Sequence, residues 1–441
     1  MKHVLSCVNQ NGEQATVIYD NTDNAVFVNG DMLEVPDRIG APHGMYQDWA
    51  ALGDFPRFDP EHPASKTSDV RFLKVQLGLK CNYSCSYCKQ ASHVGEDVEA
   101  GIEEAKTFAS RVSKNIVGIP ERIEFWGGEP FVYWKHIQIL TRDFRALYPE
   151  AQISIVTNGS LLDMEKLQWV IDNSVDIAIS HDGAAQYQRG PDPLDDPEKR
   201  KVWQAFVDTR GKEGRMSFNC VLTPDNNNVT EVTQWFKDRL GEHARVNFEG
   251  VVNIDGPCEE EAGRFSQAQL ENMMRSIYNA VADGSIMGMP ALGRRFHSFY
   301  HSLVKKRPSA KLGQKCGMDR PNALAVDLDG NVLTCHNTGA NGKHNIGHID
   351  NIPCVRLNTS WHWSARGNCS ECPVLQICQG TCMYLEGDDF SRTCYNEYHY
   401  ALPILFGAIW LATGLTVIGL ETGFKLPDID SKKKVIPIKT V

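Results

Sequence analysis

The sequence has no excess of basic residues. Its 441 residues include 45 Lys and Arg against 55 Asp and Glu, which gives a formal net charge of −10. A protein coated with nucleic acid is typically basic, so this balance disfavours that class, although it allows a local basic patch. With 42% hydrophobic and 23% charged residues, the composition is typical of a globular protein with two or three domains and not of a disordered chain.

The sequence also has no recognisable secretion signal. Met1-Lys2-His3-Val4-Leu5 leads directly into polar residues, unlike the apolar core of a signal peptide. The chain nevertheless contains 14 cysteines. Because clustered thiols in a reducing compartment bind metals and do not form disulfides, we expect a cytoplasmic protein with metal centres.

Residues 1 to 65 have little helical pattern. Short strands are predicted at Val4 to Val8, Thr16 to Tyr19 and Ala25 to Val28, with Asn-Gly turns between and after them. The one good helical stretch lies around Met45 to Leu52. We therefore predict a β-rich N-terminal segment, in which the lone Cys7 is a buried thiol.

From residue 70 to about 285, predicted strands alternate with amphipathic stretches of roughly 10 to 20 residues. The strands are predicted at 70–77, 122–126, 152–157, 175–180, 215–222 and 245–252. Six βα units imply a parallel sheet, which right-handed crossovers curl into a full or partial barrel. The active site of such a barrel lies at the carboxyl ends of its strands.

The first of these strands leads into Cys81-Asn82-Tyr83-Ser84-Cys85-Ser86-Tyr87-Cys88. Three thiolates this close can hold three corners of an iron–sulfur cubane and leave the fourth iron open to another ligand. The alternatives are a zinc site, which usually has four ligands in paired C-x2-C arms, and inert thiols, which have no reason to cluster. The C-x3-C-x2-C spacing resembles the signature of the radical S-adenosylmethionine (SAM) enzymes.

That resemblance implies a [4Fe-4S] cluster held by Cys81, Cys85 and Cys88, with the amine and carboxylate of SAM on the fourth iron. In the family, electron transfer then cleaves SAM to a 5'-deoxyadenosyl radical.

Polar motifs follow the next three strands. Gly127-Gly128-Glu129-Pro130 resembles the family's GGE motif, where a backbone carbonyl and the Glu receive the SAM ammonium, and Thr157-Asn158-Gly159 resembles its TNG turn. Ser180-His181-Asp182-Gly183 resembles the Ser-x-Asp-Gly segment beside the SAM ribose and carboxylate. Glycine pairs also mark turns, and Ser and Asp are also ordinary helix caps. Four matched strand ends in sequence order favour the family.

Three further residues are expected to contact SAM. The resemblance implies that Tyr87 lies against the adenine and that Asn219 approaches the adenosine. Arg189 can bind the methionine carboxylate through two hydrogen bonds, and a solvated loop arginine is the alternative.

Seven more cysteines follow in an ordered pattern: Cys316, Cys335, Cys369, Cys372, Cys378, Cys382 and Cys394. They resemble the SPASM domain, which holds two auxiliary [4Fe-4S] clusters in many radical SAM maturases of peptides and proteins. The resemblance implies a proximal cluster on Cys316, Cys335 and Cys382, and a distal cluster on the other four. A zinc ribbon is the alternative for the Cys369-x2-Cys372 arm.

Two positions depart from the family pattern. Asn322 stands where some relatives supply a fourth cysteine to the proximal cluster, so that cluster has an open iron unless Cys354, otherwise a buried thiol, supplies a ligand. His336 follows Cys335, where sulfatase-maturing relatives have a catalytic Asp. An imidazole can accept a proton in the same way, or donate a hydrogen bond beside the cluster. Relatives that cross-link peptides become the nearer comparison.

A basic segment spans residues 291 to 315, with no acid between Asp283 and Asp319. Its cations are Arg294, Arg295, Lys305, Lys306, Arg307, Lys311 and Lys315, interleaved with Phe296, His297, Phe299, Tyr300 and His301. Such a segment suits a phosphate-bearing or single-stranded nucleic-acid ligand. A helix with one solvated face is the favoured alternative.

Leu402 to Leu420 is a stretch of 19 residues without a charge, close to the length of a membrane span. Pro403, Gly407, Gly414 and Gly419 weaken a continuous lipid-facing helix. We predict a helix that ends near Thr413 and packs against the barrel or the SPASM domain, without membrane contact.

The predicted organisation is an α/β protein with four parts. These are a β-rich segment (1–65), a partial (βα)6 TIM-like radical SAM barrel (66–300), a small cysteine-rich SPASM domain (310–400) and an apolar helix with a tail (401–441). The resemblance implies SAM and three [4Fe-4S] clusters as cofactors. An external electron donor of the flavodoxin or ferredoxin type is also expected.

The resemblance also implies the reaction. The radical abstracts a hydrogen from a substrate C–H bond, and a cross-link or oxidised bond then forms on a ribosomally made peptide. The second hypothesis is an isomerase acting on an amino-acid-decorated nucleobase or another phosphorylated small molecule, because no leader-binding winged helix is recognised. The third is a non-catalytic iron–sulfur or zinc scaffold, which the cysteine loop with Gly-Gly-Glu disfavours.

Overall fold

A computed structural model of the chain describes residues 1–40, 52–91, 93, 101–253 and 263–429. The helical stretch predicted around Met45 lies outside the described residues, apart from its last residue, Leu52. In chain order the strands are β1 (Lys2–Val8), β2 (Gln14–Asp20), β3 (Ala25–Val28), β4 (Asp31–Met32), β5 (Ala64–Ser65), β6 (Phe72–Gln76), β7 (Arg122–Trp126), β8 (Gln152–Thr157), β9 (Asp176–Ser180), β10 (Met216–Leu222), β11 (Val246–Val251), β12 (Ala323–Asp327), β13 (Asn331–Leu333), β14 (Asn345–His348), β15 (Arg356–Leu357) and β16 (Thr416–Glu421). The α-helices are α1 (Ile102–Asn115), α2 (Trp134–Leu147), α3 (Met164–Asp172), α4 (Pro197–Phe206), α5 (Val229–Leu240), α6 (Gln267–Ala282), α7 (Pro290–Val304), α8 (Leu375–Cys378) and α9 (Gly387–Thr413).

The six predicted barrel strands are all present. Strands β6 to β11 run parallel in the spatial order β11-β10-β9-β8-β7-β6, and α1 to α5 connect them. The sheet continues past β6, because β12 pairs with β6 in parallel and β13 and β14 follow antiparallel. One sheet therefore carries the barrel and the strands around Cys335. The predicted domain boundaries stay a prediction.

The two faces of the barrel sheet differ in chemistry. Leu73 and Val75 on β6, and Ile123 and Phe125 on β7, are buried at alternate positions. Side chains at alternate positions of a strand point to opposite faces, so these residues form the apolar face that packs on the helices. The intervening positions are polar, as in Lys74 between Leu73 and Val75. The interior of the barrel is thus lined by polar groups.

A second sheet joins distant parts of the chain. β16 pairs antiparallel with β1, and the order is β16-β1-β2-β3-β4. The three N-terminal strands were predicted correctly, whereas the partner strand beyond α9 was not predicted. Cys7 is buried in this sheet, as predicted.

Helix α9 ends at Thr413, as predicted, and Gly414 caps it in the left-handed conformation. It begins at Gly387, earlier than the apolar run indicates, so it also includes Cys394. Its apolar half packs on α6, where a Cβ at Gly407 would lie 2.7 Å from Val281 Cγ1. Among the described residues, no helix combines the length and apolarity needed to cross a membrane.

Candidate functional site

The cysteine loop follows β6 at the carboxyl end of the barrel strands. Burial raises the pKa of the Cys85 thiol to about 12, and the charges of Cys88 and Cys81 act in the same direction. Burial and the charge of Cys88 also raise the pKa of Cys81. The Cys81 Sγ accepts a hydrogen bond of 3.4 Å from the Tyr83 main-chain N–H. All cysteines within the described ranges are reduced thiols. Three thiols that lie this close and repel one another as thiolates fit the ligand set of an iron–sulfur cluster.

The Gly-Gly-Glu turn after β7 lies directly under this loop. Gly128 N donates to Gly78 O at 3.0 Å, and Glu129 N donates to Lys80 O at 2.9 Å. A Cβ at Gly127 would lie 2.4 Å from Gly78 O, and one at Gly128 would lie 2.4 Å from Lys80 O. Glycine is required here because the two segments are in main-chain contact.

Glu129 connects the ends of β7 and β8. Its carboxylate is fully buried and accepts hydrogen bonds from Phe131 N (3.0 Å), Thr157 Oγ1 (2.6 Å) and Asn158 N (2.7 Å). Burial raises the pKa of this carboxyl, and the hydrogen bonds oppose that rise. A carboxylate has about four acceptor positions, so Glu129 keeps capacity for one more donor, such as the ammonium implied by the family resemblance.

Tyr87, Asp182 and Arg189 form one cluster beside the cysteine loop. Arg189 donates to Asp182 from Nε at 2.9 Å and Nη2 at 3.3 Å, and Val221 N donates to Asp182 at 3.1 Å. The Tyr87 hydroxyl also donates to Asp182, and the Arg189 guanidinium lies 5.3 Å from the Tyr87 ring centre. Arg189 is therefore held inside the protein, so the alternative of a solvated loop arginine is wrong. Ser180, at the end of β9, is half-buried.

Between this cluster and the auxiliary cysteines lies the polar interior of the barrel, which we call the polar chamber. It is lined by Lys74, Gln76, Glu124, Trp126, Ser217, Asn219, Asn247 and Glu249. Lys74 pairs with Glu124 and lies 5.3 Å from the Trp126 ring centre. On the facing strands, Asn219 Nδ2 donates to Glu249 Oε1 at 2.8 Å, and Asn247 Nδ2 donates to Ser217 Oγ at 2.8 Å.

Glu249 is an accessible carboxylate inside the barrel. Its side chain reaches solvent, but surrounding protein desolvates it and raises its pKa, an effect that Arg189 and Lys74 oppose. Among the described residues, no Lys, Arg or His lies within ion-pair distance of it. Sequence reasoning missed Lys74, Glu124 and Glu249. The signal that would have found them is polar residues at every second position of barrel strands.

His336 lies at the end of the polar chamber where β6 and β7 end, beside Gln76 and Trp126. Its ring packs edge-on against Trp126 with 4.2 Å between ring centres, and its Nδ1 lies 3.6 Å from Cys335 Sγ. Gln76 and Gln90 donate to its carbonyl at 3.0 and 3.1 Å. Burial, assisted by Lys74 and Lys89, lowers the pKa of His336 well below its ordinary value. The imidazole is therefore neutral near pH 7 and can accept a proton.

The auxiliary cysteines fall into two groups. Cys316 is exposed, but desolvation by the surrounding protein raises its pKa to about 12, and the charges of Cys335 and Cys382 add to this rise. Separately, the pKa of Cys372 is raised by burial and by Cys378, Cys394 and Cys369. These groups correspond to the proximal and distal sets implied by the resemblance. Within the described residues, no three Cys, His, Asp or Glu side chains are arranged to share one metal ion.

The sequence raised expectations for two positions near the proximal group, Cys354 and Asn322. Cys354 is exposed, so the prediction of a buried thiol is wrong. It is the last residue of a short 3-10 helix, at the protein surface. The main-chain carbonyl of Asn322 accepts hydrogen bonds from the main-chain N–H groups of Arg71 and Phe72. Asn322 directly precedes β12.

Four cations of the basic segment form ion pairs, two with the buried Glu397 and two with exposed acids. Its ion pairs are Arg295–Glu397 (2.9 Å), Lys315–Glu397 (2.8 Å), Lys306–Glu34 (2.6 Å) and Lys311–Asp54 (3.0 Å). Phe296, Phe299 and Tyr300 are buried, and Arg294 is the one exposed residue of α7. A helix is present as predicted, but the broad solvated face is wrong. Acids from distant parts of the chain pair with its cations.

A cavity of about 670 Å³ lies at the other end of the barrel. Arg145, Asp176 and Arg215 line it, near the amino ends of β8 to β10. In parallel barrels this end stabilises the fold and the carboxyl end carries the chemistry, so we place the site at the polar chamber.

Comparisons with known proteins agree with these features. The model of the family described as "Radical SAM superfamily" matches residues 75–210. The serine-type anaerobic sulfatase-maturating enzyme of Klebsiella aerogenes is 22% identical over 366 residues, which cover 78% of this chain and 87% of that protein. GTP 3',8-cyclase of Moorella thermoacetica is 35% identical over 189 residues, 42% of this chain and 54% of that protein.

A similar fold is found among solved structures. Native anSMEcpe with bound AdoMet matches with a TM-score of 0.55 at 17% identity, over 78% of this chain and 97% of that one. The same protein with AdoMet and Cp18Cys peptide matches with a TM-score of 0.52 at 17% identity, over 77% of this chain and 99% of that one. This chain thus carries a radical SAM domain and is homologous over about three quarters of its length to the anaerobic sulfatase-maturating enzymes.

Proposed function

We propose that this protein is a radical SAM enzyme that forms a cross-link or an oxidised bond in a ribosomally made peptide. The observation that supports this most directly is the geometry of the polar chamber. The three-cysteine loop lies on the Gly-Gly-Glu turn at the carboxyl ends of the strands, and His336, next to Cys335, contacts Trp126 at the end of β7 and Gln90 just beyond Cys88. A substrate between them would reach both cysteine groups.

In this proposal Cys81, Cys85 and Cys88 hold the SAM-binding cluster. With SAM bound, the cluster supplies a 5'-deoxyadenosyl radical that abstracts hydrogen from an unactivated C–H bond. Glu129, with Gly127 and Gly128, holds the methionine ammonium. Tyr87, Ser180, Asp182, Arg189 and Asn219 surround the rest of SAM.

The side chains of the chamber orient the substrate. Lys74 and Glu124 neutralise each other, so Glu249 leaves the chamber with an uncompensated negative charge among the described residues. His336, neutral at pH 7, accepts the proton that the substrate loses during oxidation. Its contact with Trp126 keeps the ring facing the chamber.

A peptide is the favoured substrate for two reasons. The Klebsiella relative matures sulfatases, which are proteins, and anSMEcpe has been solved with a peptide bound. The likeness to GTP 3',8-cyclase favours a nucleotide as the second candidate, but it covers 42% of this chain. In the basic segment, which first suggested a phosphate ligand, Arg295 pairs with the buried Glu397 and Lys306 pairs with the exposed Glu34.

We further propose a flavodoxin- or ferredoxin-type electron donor, a cytoplasmic location and two auxiliary [4Fe-4S] clusters. The proximal cluster has Cys316, Cys335 and Cys382 as ligands. The distal cluster has Cys369, Cys372, Cys378 and Cys394.

The test is reductive cleavage of SAM. The protein is reconstituted anaerobically with iron and sulfide, and 5'-deoxyadenosine is measured after addition of SAM and dithionite. Replacing Cys81, Cys85 and Cys88 by Ala should abolish 5'-deoxyadenosine and remove one cluster's iron, while the auxiliary clusters stay. Cys7→Ala, a buried thiol of the N-terminal sheet, is the control. Release of 5'-deoxyadenosine by the triple variant would refute the assignment.

A further inference from the structure

A group of three charges lies next to the two sets of auxiliary cysteines, and it joins one fully buried carboxylate to two cations that keep 16% and 20% of their side chains exposed. Glu397, on α9, is fully buried and accepts hydrogen bonds from Arg295 Nη1 at 2.9 Å and Lys315 Nζ at 2.8 Å. We call these three residues the charge triad. Arg295 also lies over the Tyr400 ring, 5.0 Å from its centre.

The sequence positions of the charge triad connect both cysteine groups. Glu397 follows Cys394 by three residues on α9, so the two share one face of the helix. Lys315 directly precedes Cys316 of the proximal group. Both Glu397 and Lys315 act electrostatically on the thiol of Cys378, a member of the distal group. The charge triad therefore acts electrostatically on the distal group, and through Lys315 it is adjacent in the chain to the proximal group.

The charge triad also borders the polar chamber. Gly250 follows Glu249 on β11 and has a φ of +137°. A Cβ at Gly250 would lie 3.1 Å from Lys315 Nζ and 3.6 Å from Glu397 Oε2. The strand that carries Glu249 on the chamber thus has the triad close beside its backbone.

The charges of the triad do not cancel. Two cations share one carboxylate, which leaves a formal excess of one positive charge in the interior. A buried ion pair already has a high desolvation cost, and an extra buried cation adds to it unless another anion compensates. The distal group includes Cys378 on α8 and Cys394 on α9, and its thiolates can supply that anion. An iron–sulfur cluster on thiolates is negatively charged and gains one more negative charge when it takes up an electron.

We propose that the charge triad sets the reduction potential of the auxiliary clusters, with Lys315 and Arg295 favouring the reduced state and Glu397 limiting that effect. This rests on the proposed function, because it requires the clusters. The net charge close to an iron–sulfur cluster is one of the factors that determine its potential. A more positive potential makes the auxiliary clusters better acceptors for the electron that leaves the substrate.

The experiment measures potentials in the full-length protein, without a substrate. The Cys81, Cys85 and Cys88 to Ala background leaves only the auxiliary clusters, which are titrated with dithionite and followed by electron paramagnetic resonance. The distal signal is identified by its loss in Cys372→Ala. Lys315→Met should lower the distal midpoint potential, and Glu397→Gln should raise it. Opposite signs for two neighbouring residues are not expected from a general loss of packing.

Lys306→Met is the matched control, because it removes the same charge from a pair with the exposed Glu34. Its potentials should equal those of the background protein. Equal potentials in all variants, or shifts of the same sign in Lys315→Met and Glu397→Gln, would overturn the proposal. Loss of distal iron in both variants would also overturn it, since the triad would then be needed for assembly. Absence of clusters in the background protein would instead refute the proposed function.

Discussion

Gly128 offers the sharpest test of how the cysteine loop is held. A Cβ at this position would lie 2.4 Å from the Lys80 carbonyl oxygen and 2.5 Å from that of Leu79. These are main-chain atoms, which cannot rotate away as a side chain can. In Gly128→Ala the segment that leads to Cys81 must therefore move.

The magnitude follows from the contacts. Overpacking at a fixed position costs about 1–3 kcal/mol. Movement of the segment also breaks two main-chain hydrogen bonds, Gly128 N to Gly78 O and Glu129 N to Lys80 O, at about 1 kcal/mol each. The ordered loop should thus be destabilised by about 3 to 5 kcal/mol, which lowers its population by about 100-fold or more.

The assay is cluster incorporation. Gly128→Ala should bind less iron after reconstitution by one cluster's share and release almost no 5'-deoxyadenosine, while the auxiliary clusters keep their spectra. Gly288→Ala is the control, because a Cβ there meets no atom within 4 Å. Full iron content and full SAM cleavage in Gly128→Ala would show that the loop is not fixed by this contact.

Four further predictions follow from single contacts. Cys354→Ala should keep all three clusters and full 5'-deoxyadenosine release, because Cys354 is not among the charges that act on Cys316 and Cys335; loss of proximal iron would show that Cys354 is a ligand. Glu249→Gln should leave SAM cleavage unchanged and reduce product formation by about tenfold or more, as expected for a lost charged hydrogen bond; an unchanged product yield would remove Glu249 from substrate orientation. Arg294→Gln with Lys306→Gln should not alter turnover, and a loss with a nucleotide substrate would revive the phosphate hypothesis. Burial lowers the pKa of His3 in the folded protein to about 4. As the pH falls below 6.5, His3 therefore binds a proton in the unfolded chain but not yet in the folded protein. Up to about 3 kcal/mol of the free energy of unfolding is present above pH 6.5 and is lost as the pH falls towards about 4. His3→Gln should flatten this dependence in thermal unfolding measured against pH, and an unchanged slope would refute it.

Local patterns in the sequence predicted the barrel strands and the two groups of auxiliary cysteines. Strands such as β7 alternate apolar and polar residues, and that period depends only on neighbours in the chain. The cysteine spacings are local and carry the resemblance to the SPASM domain, and it is that resemblance that implies a group containing both Cys316 and Cys382, which are far apart in sequence.

The predictions that were wrong or missing concern residues whose interaction partner is distant in the sequence. Arg295 looked solvated because no acid lies near it in sequence, and its partner Glu397 comes 102 residues later. Glu249 carries no motif, and its role depends on which face of β11 points into the barrel. The pairing of β16 with β1 also has no local signal, because each strand alone fits many partners.

The closure of the N-terminal sheet has a consequence for synthesis. His3 Nδ1 and Thr422 Oγ1 lie 2.9 Å apart although they are 419 positions apart in sequence. β1 can therefore pair with β16 only after the barrel and the auxiliary cysteines have left the ribosome. Until then β1 has an unpaired edge that other chains can join. Nascent chains should thus depend on chaperones that cover this edge, and expression with β16 deleted should yield aggregates seeded by the N-terminal strands.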